Sequence, residues 1–225
     1  MTEKLSEIIT IKTGTVSCLD DRDDVLRQEI ERQRAEAKQK QAERLWERSN
    51  VGKRFKDVTL NGFTGDPEAL KACRKWVDNL QDGEGLVLCG SYGVGKTHLA
   101  TATAREAMER YGITVWFSTF AGILQELKGT YGNSKEFNET LQKYRIVDLL
   151  VIDDLGKEYL TPWASEMLFT VIDERYRNMK AVIITTNMMP KELGQHIDEA
   201  IMSRLAEMCT FVRVTGDDYR LRRKK

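Results

Sequence analysis

The feature that most constrains this chain is a glycine-rich segment between an apolar run and a helix-like stretch. The apolar run covers residues 86–89, the segment 90–97 reads Gly-Ser-Tyr-Gly-Val-Gly-Lys-Thr, and the helix-like stretch covers 99–104. This G-x-x-x-x-G-K-T spacing, between a strand and a helix, is typical of a P-loop. Glycines allow backbone N–H groups to wrap an oligophosphate, and the helix N-terminus directs its positive dipole end to the same anion. We therefore predict a nucleoside triphosphate site.

The residues of this predicted site are Gly90, Ser91, Tyr92, Gly93, Val94, Gly95, Lys96, Thr97 and His98. Lys96 is expected to reach the β- and γ-phosphates, and the Thr97 hydroxyl is expected to ligate Mg²⁺. The alternative interpretation is a glycine-rich turn with a surface lysine, which the flanking strand and helix disfavour.

The composition limits what the rest of the chain can do. Its 225 residues suffice for one main domain and an appendage, and 35 basic residues balance 35 acidic ones. A general nucleic-acid coating protein would be clearly basic, so any DNA contact has to come from a local patch. The four cysteines are scattered without a zinc signature, and neither His98 nor His196 is expected to bind a metal. No signal-peptide core and no apolar run of about 20 residues occurs, which predicts a cytoplasmic protein with no membrane partner.

The N-terminal part differs in composition from the rest. Residues 1–20 show no clear period and are expected to form a loosely held segment. Residues 21–48 are rich in Glu, Gln, Arg, Lys and Ala, lack Gly and Pro, and predict a charged helix. Its sparse apolar residues allow two interpretations, a solvated linking helix or a partner-docking arm. We predict a charged helical arm over 1–50 and a second domain over 51–225.

Beyond this arm, apolar runs alternate with helical patterns, which indicates a parallel α/β sheet. Asp66 and Pro67 are expected to cap and start a helix that reaches about Leu80. Five strands are predicted at about 85–89, 113–118, 147–152, 181–186 and 210–214. The other predicted helices lie at about 95–110, 119–128, 135–145, 162–178 and 198–207.

Two of these strands end in polar residues that can face the triphosphate. The run 149–152 leads to Asp153 and Asp154, and the run 181–184 leads through two threonines to Asn187. Ligands bind beyond the carboxyl ends of parallel strands. Asp153 fits a Walker B acid that holds Mg²⁺, Asp154 a carboxylate that orients the attacking water, and Asn187 a hydrogen-bond partner of the γ-phosphate. A helix-capping Asp pair and a strand-to-turn Asn are the alternative interpretations.

From about Gly52 onward the chain resembles the AAA+ ATPases of the DnaC/DnaI helicase-loader group, with the IstB-type transposition ATPases as near relatives. The motifs that carry the resemblance are GSYGVGKTHLA, LLVIDDLG, IDERY, VIITTN, IMSRL and DDYR. The resemblance implies a P-loop AAA+ core, a five-stranded parallel sheet flanked by helices. The charged helix predicted from composition would precede this core, and the resemblance implies that no helical lid follows it.

The resemblance further implies roles for three residues. Asn187 matches the sensor 1 residue, Arg204 in IMSRL matches an arginine finger that acts on ATP of a neighbouring subunit, and Arg220 in DDYR matches the sensor 2 arginine. A finger of this kind stabilises charge that develops on the transferred phosphoryl group. Without the resemblance, each arginine would be a surface cation. Asp154 departs from the glutamate of many AAA+ proteins, and its shorter side chain predicts poorer water positioning and slow hydrolysis.

The implied function is an ATP-dependent loader of a hexameric replicative helicase onto single-stranded DNA, in a phage or a bacterium. ATP and Mg²⁺ are the expected cofactors. Self-association into a ring or spiral is expected, because Arg204 would complete a site only across a subunit interface. The first alternative is a transposition helper ATPase of the IstB type. A P-loop kinase and a non-hydrolysing nucleotide switch are further alternatives.

The resemblance places single-stranded DNA along an insertion over residues 120–145. Its cations and aromatic residues are Lys128, Tyr131, Lys135, Lys143, Tyr144 and Arg145. Interleaved cations and aromatic rings suit binding of a single strand, whereas the acidic residues of the segment favour an ordinary solvated insert. The basic run 220–225 is a second candidate for phosphate contact, with a frayed terminus as its alternative.

Overall fold

The computed structural model describes residues 3–156 and 160–219, with side chains from residue 25 onward. The chain divides after Ala42 into two compact units. Helix α1, Glu3–Glu47, accounts for the described part of the first unit. It begins well before the predicted start at Asp21, because no proline interrupts the preceding residues and a single glycine costs a helix only about 1 kcal/mol.

The side chains of α1 between residues 25 and 41 are almost all exposed. Arg32 pairs with Glu29 and Glu36, with N–O distances of 2.9 and 3.8 Å. Such pairs stabilise a helix by only about 0.2–0.5 kcal/mol each. The predicted charged helix is therefore present.

The second unit contains one parallel sheet of five strands in the order β2-β3-β4-β1-β5. The strands are β1 Gly85–Cys89, β2 Val115–Thr119, β3 Leu149–Leu155, β4 Ala181–Thr186 and β5 Cys209–Arg213. The three central strands are buried almost throughout, as is typical of parallel strands covered on both faces. The predicted five-stranded α/β sheet is confirmed, and the strand bounds differ from the prediction only at their ends.

Helices flank this sheet. They are α2 Pro67–Asp78, α3 Lys96–Tyr111, α4 Phe120–Gly129, α5 Ser134–Ile146, α6 Pro162–Arg177, α7 Pro190–His196 and α8 Glu199–Met208. A 3₁₀ turn at Lys53–Phe55 precedes them. Asp66 caps α2 as predicted, because its side chain accepts hydrogen bonds from the N–H groups of Glu68 and Ala69. The sequence pattern missed α7, whose seven residues are too few for a clear helical period.

None of the helices in the part of the chain that the structure describes is both long and apolar enough to cross a membrane.

The residues that follow α1 belong to the second unit. The Phe117 N–H of β2 donates to the Ser49 carbonyl oxygen at 2.8 Å, and the Asn50 side chain donates to the Phe117 carbonyl oxygen at 2.9 Å. Two short hydrogen bonds thus fix this stretch to the edge of the sheet.

The strand order determines which loops meet. Strand β4 lies between β1 and β3, with Cys89 paired to Thr186 at the carboxyl end of β1. The P-loop after β1, the two acids of β3 and Asn187 after β4 therefore lie at the same edge of the sheet.

The buried cation Arg175 joins α6 to the starts of β3 and β4. Its guanidinium donates to the backbone carbonyls of Tyr144 and Val147 at 2.9 Å, of Asp148 at 3.0 Å, and of Ala181. Burial lowers the pKa of Arg175 to about 9, against the opposing charge of Asp148, so the group stays protonated at neutral pH. Sequence analysis assigned this residue no role.

Replacing Arg175 should destabilise the fold. Arg175→Met keeps a long side chain but leaves several buried carbonyl oxygens without a donor, so the free energy of unfolding should fall by about 3 kcal/mol in urea denaturation. The exposed Arg74, which donates to Asn61, offers the control. Arg74→Met should change the same quantity by less than about 0.5 kcal/mol. Equal losses in the two variants would contradict the joining role of Arg175.

Candidate nucleotide-binding site

The backbone conformation of the P-loop explains why glycine occupies two of its positions, 90 and 95. Gly90 has a φ of +155°, and a Cβ there would lie 2.2 Å from the carbonyl oxygen of Val214. Gly95 has a φ of +96° at the N-cap of α3, where no side chain caps the helix. The first N–H groups of this 16-residue helix are therefore left for another acceptor. This arrangement fits an anion at the predicted phosphate position.

Lys96 is buried, and its ammonium group has three oxygen acceptors. Its Nζ donates to the carbonyl oxygens of Gly90 at 2.8 Å and Ser91 at 2.7 Å, and to Asn187 Oδ1 at 2.7 Å. The structure thus brings the predicted P-loop lysine together with the predicted sensor residue. Phosphate oxygens are stronger acceptors for an ammonium group than these neutral oxygens.

Asp153 connects the P-loop helix to β4. Its Oδ1 accepts hydrogen bonds from Thr97 Oγ1 at 2.9 Å and from Thr185 Oγ1 at 2.6 Å. Burial raises the pKa of Asp153 above its usual value, although the two hydroxyl hydrogen bonds oppose this rise. Thr185 was not predicted, because a threonine in a buried strand reads simply as a good strand former.

A β-bulge in β3 places the two acids. The register with β4 shifts between Ile152 and Leu155, so Asp153 and Asp154 stand opposite one residue, Thr185. Asp154 has a φ of +58°, and its N–H donates to the Thr185 hydroxyl at 3.0 Å. Bulges occur often beside active sites because they re-aim a side chain. The predicted strand ended before the acids, whereas the observed strand continues through them.

The predicted residues line one cleft of about 740 Å³, within the size range of small-molecule sites. Those that line it are Tyr92, Gly93, Val94, Gly95, Lys96, Thr97, His98, Asp153, Asp154 and Asn187. Gly90 and Ser91 contribute through their carbonyl bonds to Lys96. The cleft also has apolar lining residues that were not predicted, Phe55, Val58 and Phe63, because no motif marks the connector that carries them.

His98 contributes an unpaired polar atom to this cleft. Its ring lies 5.6 Å from the Phe63 ring, centroid to centroid, at an angle of 55°. The Nε2 atom is buried and has no hydrogen-bond partner among the described residues. Burial lowers the pKa of His98, against a hydrogen bond to the Thr59 backbone, so the ring is neutral at neutral pH. A buried nitrogen beside an aromatic ring suits the base or sugar of a nucleotide.

Magnesium would be held by Thr97 and Asp153. Their hydroxyl and carboxylate oxygens are the hard ligands that Mg²⁺ prefers, and Mg²⁺ commonly completes its shell with water and substrate phosphates. Within residues 3–156 and 160–219, no group of three or more His, Cys, Asp or Glu side chains could hold a metal by itself. The pair therefore fits an ion that arrives with a triphosphate, on which it would neutralise charge.

Of the two predicted arginines, the structure describes Arg204 but not Arg220. Arg204 lies on α8, forms an ion pair with Asp173 of α6 at 2.7 Å, and does not line the cleft of its own chain. Arg220 lies outside the described residues, as does the basic run 220–225. The preceding Tyr219 donates its backbone N–H to the Gly93 carbonyl oxygen at 3.0 Å. The described chain therefore ends beside the P-loop.

The predicted DNA-binding insertion forms α4 and α5, and some of its candidate side chains are buried or already paired within the chain. Tyr144 is fully buried with its hydroxyl hydrogen-bonded to Glu126, so its ring is not available for stacking on a DNA base. Lys143 also donates to Glu126, and its Nζ lies 4.4 Å from the centre of the Trp116 ring. Arg145 is half-buried. The available cations and aromatic residues lie earlier in the segment.

Comparison with known proteins gives a match over nearly the whole chain. The family model described as "IstB-like ATP binding protein" matches residues 4–225. The phage-like element PBSX protein XkdC of Bacillus subtilis is 31% identical over 166 residues, which cover 71% of this chain and 58% of that protein. The insertion sequence IS232 putative ATP-binding protein of Bacillus thuringiensis is 31% identical over 148 residues, 64% of this chain and 58% of that protein. The chain thus spans less than two thirds of the length of these relatives.

Solved structures give the same fold. The crystal structure of the DnaC helicase loader has a TM-score of 0.66 and 32% identity, and the match covers 73% of this chain and 100% of that chain. The replication initiator DnaA bound to AMPPCP and single-stranded DNA has a TM-score of 0.61 and 26% identity, over 75% of this chain and 52% of that chain. These matches confirm the predicted α/β AAA+ core.

Removing the Thr185 hydroxyl tests whether the two acids act in the ATP hydrolysis that the sequence predicts. Thr185→Val loses the donor to Asp153 and the acceptor for the Asp154 N–H, so both acids lose a restraint and turnover should fall about tenfold to a hundredfold. Phosphate release at saturating ATP and Mg²⁺ measures this. Its neighbour Thr186, whose hydroxyl accepts from the Met188 N–H, supplies the control Thr186→Val. Equal turnover in the two variants would mean that hydrolysis does not depend on the hydrogen bonds that the Thr185 hydroxyl makes to the two acids.

Proposed function

Because the chain belongs to the family of IstB-like ATP-binding proteins, we propose that it is an ATPase that loads a hexameric replicative helicase onto single-stranded DNA. ATP and Mg²⁺ are its proposed cofactors, and its host is a bacterium or phage. The observation that carries the proposal is the convergence of Lys96, Asp153, Asp154 and Asn187 on one cleft. The similarity to the DnaC helicase loader, which extends over the whole chain of that solved structure, supports a helicase as the partner.

The site residues have separate proposed roles. The P-loop backbone and Lys96 bind the phosphates, Thr97 and Asp153 hold Mg²⁺, and Asp154 orients the attacking water. Asn187 senses the γ-phosphate from the end of β4, where it already contacts the Lys96 ammonium group. Arg220, which follows a residue bonded to the P-loop, is proposed as the sensor 2 arginine.

We propose self-association into a ring or spiral, and the position of Arg204 supports it. It lies on α8, away from the lining of its own cleft, and its side chain is 26% exposed. A cation in this position is available to the triphosphate of a neighbouring subunit. We propose that Arg204 acts as an arginine finger across that interface, where such a residue is worth about 10³–10⁵ in rate.

The exposed helix α1 is the proposed docking arm for the helicase, within the arm predicted over residues 1–50. Val25, Leu26 and Ile30 are apolar and exposed on it. Exposed apolar side chains on an otherwise charged helix favour a partner-docking role over a purely linking one.

A cluster of aromatic and basic side chains is the proposed contact for single-stranded DNA. Tyr131 is 59% exposed, lies parallel to Phe137 at 6.4 Å, and is tilted against Trp163 at 5.6 Å. Lys128 lies over the Trp163 ring at 5.2 Å, and Lys135 is exposed. An exposed ring beside cations, such as that of Tyr131, suits base stacking and phosphate contact. The similar DnaA structure was solved with single-stranded DNA.

Tyr131→Ala should weaken binding of a single-stranded oligonucleotide by about 1–3 kcal/mol, because one stacking surface is lost. Fluorescence anisotropy with a labelled oligonucleotide in ATP measures this. Tyr111 is another exposed tyrosine, at the end of α3, and Tyr111→Ala is the control. If both variants bound DNA as tightly as the parent chain, the cluster would not be the contact surface.

The second candidate function is a transposition helper ATPase. The matching family is described as IstB-like, and one relative is a putative ATP-binding protein of an insertion sequence. The nucleotide site would act identically in either function, so the two functions can be distinguished only by identifying the partner that the chain binds.

Capture of a partner by the full chain tests the proposed function. The immobilised chain should retain a hexameric replicative helicase in the presence of a non-hydrolysable ATP analogue and release it with ADP, as judged by immunoblot. Lys96→Ala should lose this nucleotide dependence, because it removes the ammonium group from the phosphate site. Arg204→Ala should retain it, because nucleotide binding within one chain needs no finger.

The converse result would identify the second candidate. Retention of duplex DNA and a transposase, with no helicase in either nucleotide, would overturn the loader proposal.

A further inference from the structure

Arg204 rests against one face of helix α6. Phe169, Asp173 and Tyr176 are spaced four and three residues apart, so they share this face. The Cζ atom of Arg204 lies 4.9 Å from the centre of the Phe169 ring and 5.7 Å from the centre of the Tyr176 ring. Two aromatic rings thus hold the plane of the guanidinium, as is common for arginine.

Asp173 fixes the direction of this guanidinium. Arg204 Nε donates to Asp173 Oδ1 at 2.8 Å, Nη2 lies 2.7 Å from the same oxygen, and Nη1 donates to the Ala200 carbonyl oxygen at 2.9 Å. A guanidinium carries five N–H groups, so these contacts leave N–H groups for a phosphate oxygen. The carboxylate therefore orients Arg204 without using all of its donors.

Asp173 keeps its negative charge in this position. Its second oxygen accepts from Arg177 Nη2 at 2.5 Å. Burial raises the pKa of Asp173, but the hydrogen bonds from Arg177 and Arg204 outweigh it and hold the pKa below its usual value. The pair with Arg204 is therefore a charged one at neutral pH.

We propose that Asp173 is a positioning residue that holds Arg204 ready for the triphosphate of a neighbouring subunit. The inference rests on the proposed function, in which Arg204 acts across an interface. Arginine has a long side chain with many rotamers, so an unrestrained finger would spend little time in the productive orientation. Misplacement of a reacting group by 1 Å can cost about a hundredfold in rate.

The test separates the rate of hydrolysis from nucleotide binding. Asp173→Asn should lower kcat for ATP hydrolysis about tenfold to a hundredfold, because the neutral amide releases the guanidinium. The KM for ATP, the affinity for a fluorescent ATP analogue and the melting temperature should stay close to those of the parent chain. The control is Asp148→Asn, since Asp148 is another aspartate in an ion pair, with Lys180 at 2.7 Å, although its side chain is 40% exposed against 10% for Asp173. This control should keep its kcat.

A mixing experiment asks whether the defect acts across subunits. Asp154→Asn subunits carry an intact Arg204 but cannot orient water, so they should supply working fingers to the sites of Asp173→Asn subunits. The mixture should hydrolyse ATP at a higher rate than the sum of the rates measured for the two variants separately. Asp173→Asn mixed with Arg204→Ala should show no gain. If Asp173→Asn folds poorly, Asp173→Glu keeps the charge and should show a smaller loss of kcat with the same pattern.

The outcomes distinguish this inference from the proposed function. If Arg204→Ala keeps full kcat, the finger itself is wrong. If Arg204→Ala loses hydrolysis while Asp173→Asn keeps its kcat within about twofold, only the positioning role is overturned. The positioning role would also be overturned if Asp173→Asn lost nucleotide affinity or thermal stability along with kcat. The same conclusion would follow if its mixture with Asp154→Asn hydrolysed ATP no faster than expected from the separate variants. Asp173 would then be a structural residue.

Discussion

Strand β4 organises the candidate site, because Thr185 within it and Asn187 just after it contact the two central charged groups, Asp153 and Lys96. It lies between the strand that carries the P-loop and the strand that carries the acids. Thr185 of β4 donates to Asp153, and Asn187, which follows the same strand, accepts from Lys96. The sheet register therefore sets the separation of the cation and the acid before any nucleotide binds. Preorganised charge of this kind costs no rearrangement during the reaction.

The sequence predicted those parts of the site that depend on a single local pattern. The P-loop needs glycines where φ is positive, and the buried strands need continuous apolar residues, so both are visible in the letters alone. The register of β3 against β4 depends on pairing between distant segments, and the bulge at Asp154 therefore could not be predicted. The buried Arg175 is a similar case. An arginine among four charged or polar neighbours predicts a surface position, and only the backbone carbonyls that converge on it explain its burial.

The burial of Tyr144, one of the candidate DNA-contact residues, has a local signal in the sequence. Phe137, Leu141 and Tyr144 are spaced four and three apart, so they share one face of α5. Leu141 and Tyr144 are buried, and Phe137 packs against the same core. Periodicity assigns Tyr144 to that core face, whereas Tyr131 precedes the helix and remains exposed. Helical spacing is therefore the better guide to which aromatic side chain of such an insertion can meet a ligand.

The conformation of Asp154 also bears on its departure from the glutamate expected of many AAA+ proteins. Comparison of side-chain lengths assumes that both residues start from the same backbone geometry. Asp154 has a φ of +58° inside a bulge, a conformation that aspartate and asparagine adopt several-fold more often than most residues. The backbone thus favours the shorter acid for its own reason, and the bulge re-aims its side chain. The missing methylene therefore does not by itself fix the distance from the carboxylate to the attacking water, and we expect the bulge and the Thr185 hydroxyl to influence hydrolysis in addition to the side-chain length.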